Sequence, residues 1–174
     1  MTDSTQMDAP DGSSSDRSWK SYIPLIVLVG LVALSASARQ VPEGSWRVQS
    51  WMHDFMGLFL MVFSMLKLFD LPGFADGFQM YDLLAKRFRP YAFLYPFLEL
   101  GLGLAYLSRL APNQVYAATI VLMSFGALGV FRSLSKGMNI QCACMGTVLD
   151  VPLSTVAVIE DLGMVLMAAA MLVF

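Results

Sequence analysis

An all-α, polytopic membrane helix bundle is the fold class that this sequence predicts, and three observations predict it. Hydrophobic residues make up 57% of the chain and charged residues only 14%, whereas a typical soluble domain carries about 25% charge. The apolar residues are gathered into long runs, and a run of about 20 residues crosses a bilayer as a helix. Little sequence lies between those runs, and the mean hydropathy of the chain is +0.63. No separate soluble domain of useful size is left over.

The runs predict the elements in order. Residues 1–20 are rich in Ser, Asp, Gly and Pro, a composition that buries too little apolar surface to offset its ordering entropy, so a disordered polar tail is expected. Residues 21–38 carry no charge and predict an N-terminal transmembrane helix. That run closes on Ala36-Ser37-Ala38, which resembles a signal-peptidase site. The preceding region is long and acidic, however, whereas signal peptides begin with a short basic segment. Retention as a helix is therefore the expectation. Residues 51–174 predict a four-helix membrane core. Its helices fall at about Trp51–Leu71, Pro90–Leu107, Gln114–Phe131 and Leu153–Phe174. Pro72-Gly73 reads as a turn in the loop after the second run. Pro152 suits the first turn of the last helix. Gly101, Gly103 and Ala105 on one helix, with Gly126 and Gly129 on the next, are small residues that let helices approach in lipid.

Sidedness follows from Lys and Arg in the short loops. Of the 11 such residues, Arg17, Lys20, Lys67, Lys86, Arg87, Arg89, Arg132 and Lys136 fall on the side of the tail. Arg39, Arg47 and Arg109 fall on the other. The asymmetry predicts an inner-membrane protein with its N-terminus and its 132–150 loop in the cytoplasm. The net charge of −2 comes without a basic stripe or a glycine-rich phosphate loop, so no nucleic-acid partner is expected.

That loop holds the chain's two cysteines, Cys142 and Cys144. Two thiols one residue apart support two chemistries. They can ligate one soft metal ion such as Cu(I), with Met138 and Met145 as thioether ligands. They can also cycle between dithiol and disulfide through a thiolate, and the short spacer makes that disulfide a strained, easily reduced ring. Each chemistry implies a partner, a thiol protein in one case and a metal carrier in the other. Most of the remaining Met residues fall in apolar runs and read as packing.

Ionisable residues inside the predicted helices form the second group. Glu99 sits mid-helix, roughly 14 Å beyond Pro90 at 1.5 Å per residue. Glu160 and Asp161 lie two turns into the last helix, and Lys67 lies at the same predicted end of the second. Charge at the bilayer centre costs at least about 2.5 kcal/mol, so such groups face the bundle interior. Lys67, Glu99, Glu160 and Asp161 are thus compatible with one polar set beneath the cysteine loop. It could act as a proton relay, a metal path or a charge pair ordering the bundle. Lys67 on its own reads as a residue that snorkels to the interface. His53 and Asp54, at the opposite end of that helix, read as a solvated helix terminus. Tyr91, Tyr95 and Tyr106 read as interfacial anchors.

The stretch Phe63–Phe74, with Lys67, Asp70, Pro72 and Gly73, then Tyr95–Gly101 with Glu99, resembles the MauE/DoxX group of redox-associated membrane proteins. Cys142-Ala-Cys144-Met-Gly146 followed by an acidic pair in the last helix is similar to its MauE-like branch. The resemblance covers about Met52 to Phe174. It implies a four-helix core and a role in methylamine utilisation, in support of the export or disulfide maturation of a periplasmic dehydrogenase subunit. Similar sequences with a Cys-x-Cys loop are also associated with heavy-metal handling. The resemblance makes Cys142 and Cys144 the reactive thiols and Lys67 and Glu99 characteristic positions. The reading adopted is a redox-associated MauE-like membrane protein. A soft-metal accessory protein and a purely structural membrane subunit stand as alternatives.

Overall fold

The computed structural model describes residues 14–135 and 154–173. Cys142, Cys144, Met138 and Met145, like the first residues of the polar tail, lie outside that range. The described residues form six α-helices: α1 (Ser14–Gln40), α2 (Val48–Phe69), α3 (Leu71–Tyr81), α4 (Arg89–Leu107), α5 (Pro112–Ser135) and α6 (Ser154–Val173). No strand occurs among them. Within α1, α2 and α5, the segments Ile23–Gln40, Val48–Phe69 and Pro112–Ser133 are long and apolar enough to cross a membrane. The 22 residues of α2 reach about 33 Å at 1.5 Å per residue, which exceeds the hydrocarbon thickness of about 30 Å.

Cross-helix pairs give the directions of the chain. Arg39 at the end of α1 meets Asp54 near the start of α2, and Trp51 donates to Ser37 Oγ at 3.0 Å. The reversal between them uses a 3-10 turn, Val41–Glu43, and Gly44 at φ +64°, a left-handed conformation that costs glycine nothing. Lys67 near the end of α2 meets Glu99 on α4, and His53 near the start of α2 meets Tyr116 on α5. The helices therefore run alternately up and down. The start of α1, the end of α2, the end of α5 and the start of α6 share one end of the bundle.

Two packing contacts fix the centre. The most extensive are between α5 and α6 and between α2 and α4. Helices α2 and α4 approach backbone to backbone at Gly57 and Gly103. A Cβ on Gly103 would lie 3.0 Å from Gly57 O, and one on Gly57 would lie 2.8 Å from Leu107 Cγ. Van der Waals packing of this kind drives association where lipid removes the hydrophobic drive. Gly101, expected to pack, instead faces open space. It sits on the outer face of α4, two residues out of phase with Gly103. The buried apolar side chains of α2, including Met56, Phe59, Leu60 and Phe63, join Met123, Met164, Ala168 and Met171 in one cluster.

The segment after α2, expected to be a loop, contains α3. Asp70 caps it, its carboxylate accepting from Gly73 N at 3.0 Å. Pro72 occupies the first turn, where a missing N–H is no loss. Gly73 is sterically required by that cap, since a Cβ there would lie 2.2 Å from Asp70 Oδ2. Phe74, Ala75 and Phe78 are buried against Tyr95 of α4. Pro72-Gly73 thus starts a helix.

Candidate functional site

The site is built around Lys67, whose side chain would be costly to bury alone. It is only 8% exposed, and its partner Glu99 4%. The ammonium donates to both carboxylate oxygens of Glu99, to Oε1 at 2.5 Å. It also stands over the rings of Tyr95, at 5.1 Å, and Phe74, at 5.6 Å, so aromatic faces supply a further cation–π attraction. The Tyr95 hydroxyl, one turn before Glu99 on α4, also hydrogen-bonds that carboxylate. Three helices contribute: α2 the cation, α4 the anion, α3 the aromatic lid. Lys67 does not snorkel, because Glu99 and two ring faces give it a destination inside the bundle. Tyr95 and Tyr106 are likewise buried, as bundle residues and not interfacial anchors.

Two further carboxylates enter from α6. Asp161 reaches the α5 backbone at Gly126, where an added Cβ would come within 3.0 Å of Asp161 Oδ2 and 3.4 Å of the Tyr95 hydroxyl. The missing side chain at Gly126 is what admits Asp161 toward Tyr95. Glu160 and Asp161 both interact electrostatically with Lys67 and Glu99. Asp82, between α3 and α4, is 1% exposed. It accepts from Leu84 N at 2.8 Å and Ala85 N at 2.7 Å. Burial holds its carboxyl above the ordinary value of 3.8. Lys67 is thus one buried cation among three carboxyl groups, those of Glu99, Glu160 and Asp161. Lys67, Glu99, Glu160 and Asp161 come together in one region, at the end of the bundle where α5 stops and α6 begins. Among the described residues, no group of three or more His, Cys, Asp or Glu side chains is arranged to hold a metal ion.

The opposite end holds a second polar group, buried where the sequence predicts a solvated helix terminus. His53 is 8% exposed and Asp54 2%. His53 Nδ1 lies 3.4 Å from the Tyr106 carbonyl, which only accepts, so that nitrogen carries the proton. In the neutral ring, Nε2 then accepts from the Tyr116 hydroxyl. Arg39 Nε lies 3.2 Å from Asp54 Oδ2. The signal available in the sequence was register: His53, Met56, Leu60, Phe63 and Lys67 fall at the three- and four-residue spacing of one helix face, and that face is buried.

The class of protein these features define is an all-helical, multi-pass membrane protein with a charged centre inside the bundle. The chain belongs to the MauE family: the family described as "Methylamine utilisation protein MauE" matches residues 47–174. The match spans α2 to α6. No curated protein and no solved structure matches the chain. Membership ties this membrane protein to methylamine utilisation.

Proposed function

We propose that this chain is an inner-membrane protein whose Cys142 and Cys144 exchange thiols with a partner protein during maturation, above a charged bundle centre that supports them. One observation carries the reading. Lys67, Glu99, Glu160 and Asp161 gather at the end of the bundle where α5 ends at Ser135 and α6 begins at Ser154, the two anchor points of the cysteine segment. In the exchange, a thiolate of the partner attacks the strained Cys142–Cys144 disulfide and releases one cysteine thiolate. The partner's second thiolate then closes the partner's disulfide and frees the other cysteine, so two electrons and two protons pass from the partner to the pair. Lys67 and the carboxyl groups would act as positioning residues for the segment that joins α5 to α6. Excess Lys and Arg on the tail side supports a cytoplasmic location for the thiols.

The soft-metal reading rests on Met138 and Met145 flanking the pair. Titration of purified, reduced protein with Cu(I) against a competing chelator, beside Cys142→Ser/Cys144→Ser, separates the two. The exchange reading expects no stoichiometric binding and a reversible two-electron disulfide couple that the variant lacks. Stoichiometric Cu(I) binding lost in the variant and weakening as pH falls overturns it in favour of metal. If neither occurs, the pair is inert and the structural alternative stands. An impermeant thiol reagent applied to spheroplasts is expected to leave Cys144 unlabelled. Labelling from outside reverses the orientation.

A further inference from the structure

The connection between α3 and α4, residues 82–88, is too short to cross a bilayer. Three of its side chains are nevertheless large, apolar and exposed: Leu83, Leu84 and Phe88. Lys86 and Arg87, which stand between them, are exposed as well. The turn that carries them is closely tied. The Asp82 carboxylate accepts from Leu84 N and Ala85 N, and backbone bonds run from Lys86 N to Asp82 O at 3.2 Å and from Phe88 N to Leu84 O at 2.8 Å. Asp82 and Ala85 are buried, so the turn is anchored on one side and presents its apolar and cationic side chains on the other. The next cation, Arg89, pairs with Asp76. Among the described residues, Lys86 and Arg87 make no ion pair. Asp82 attracts Lys86, but its carboxylate is committed to the backbone of the turn.

We infer that this turn is a binding site for an anionic phospholipid of the phosphatidylglycerol type. Lys86 and Arg87 take its phosphate, and Leu83, Leu84 and Phe88 take the upper part of its acyl chains. Three features select that occupant. The first is charge: two neighbouring cations without an ion pair attract an anionic headgroup, whereas a phosphocholine headgroup brings a cation of its own. The second is the apolar share of the surface. Leucine and phenylalanine side chains gain from contact with hydrocarbon, which a soluble acidic peptide does not offer and a lipid does. The third is position. The turn lies where α2 has ended and α4 has just begun, which is the level of the headgroups if these helices cross the bilayer. A second copy of the chain fits less well, because a two-fold contact through this face would set Lys86 and Arg87 against the same charges.

The site uses none of the residues of the proposed thiol exchange and stands or falls apart from it. The full-length protein in detergent is titrated with dioleoyl-phosphatidylglycerol and with dioleoyl-phosphatidylcholine, which share both acyl chains, and bound lipids are counted by native mass spectrometry. Phosphatidylglycerol is expected to bind tighter by roughly fivefold for each cation, on the order of 25-fold for the two. Lys86→Gln/Arg87→Gln is expected to abolish that preference. Arg47→Gln/Arg109→Gln, which removes two cations from the opposite end, is expected to keep it. Leu83→Ser/Leu84→Ser is expected to weaken both lipids and leave the preference in place. Glycerol phosphate, which has the charge without the chains, is expected not to compete. The comparison of the two lipids is made on the native sequence, so misfolding of a variant does not affect it. Equal binding of the two lipids, or a preference that survives Lys86→Gln/Arg87→Gln, overturns the assignment. A preference lost equally in the opposite-end variant overturns it in favour of a general effect of net charge. Competition by glycerol phosphate as effective as that by the lipid overturns it in favour of a soluble acidic partner.

Discussion

The two ends of the bundle treat buried polar groups differently. At the His53 end the groups are matched: Arg39 with Asp54, His53 with Tyr116, Trp51 with Ser37. Two buried atoms there, Gln40 Nε2 and Tyr106 Oη, have no hydrogen-bond partner among the described residues. At the Lys67 end one ammonium meets Glu99, with Glu160 and Asp161 close enough to interact electrostatically with both, and Asp82 close enough to act on Asp161. At the His53 end the buried charge is paired one to one, Arg39 with Asp54, and the polar atoms left without a partner are neutral. A set with more acceptors than cations retains capacity to take up a proton or to bind a ligand. The lesson is that burial alone does not mark a site; the local imbalance of charge does.

The largest test of that contrast is Glu99→Ala or Lys67→Ala. Each strands its partner inside the bundle, and removing one member of a buried pair costs about 3–5 kcal/mol. Unfolding of the detergent-solubilised protein is the measurement, with Asp76→Ala as the reference. Asp76 pairs with Arg89 on the surface, both more than half exposed, and such pairs contribute about 0–1 kcal/mol. The Lys67→Ala/Glu99→Ala double variant should recover part of the single losses. Strictly additive losses would mean that the pair does not act as a unit.

Tyr116→Phe should have a smaller effect at the other end. It leaves the acceptor nitrogen of His53 unsatisfied, which costs about 1–3 kcal/mol in the same unfolding measurement. A loss as large as that of Glu99→Ala would erase the distinction between the ends.

The smallest effect concerns Asp82, which lies outside the membrane-spanning segments. Its folded carboxyl is held above 3.8 by burial, so the folded chain binds that proton more tightly than the unfolded chain. Stability from this group is fully present below the unfolded value and is lost as pH rises through the folded one. Asp82→Asn keeps an oxygen for Leu84 and Ala85 and should flatten the stability profile just above the ordinary carboxylate range. An unchanged slope would remove Asp82 from the electronegative end.

Legibility differed by residue. Glu99, Glu160 and Asp161 stood out because charge inside an apolar run is costly, and the helices do bring them near Lys67. His53 and Asp54 were misjudged because proximity to a predicted helix end does not reveal that α1 and α5 cover it. Gly57 passed unnoticed because one glycine in a helical run carries no signal until Gly103 lies against it. The role of Gly126 depends on Asp161, which is 35 positions away in the sequence.

By itself the sequence determined the solvent of this protein and the places of its long apolar helices, because the apolar run lengths decide both locally; α3, which is short, escaped that signal. It also determined which charged residues had to find partners, since no isolated charge is tolerated in hydrocarbon. It did not determine the partners. Lys67 chose Glu99, and Asp161 turned to Gly126, both through contacts between residues far apart in the chain. Those outcomes depend on how closely α2 approaches α4 and α5 approaches α6. Such distances are set by packing across helices, which no local run of residues encodes.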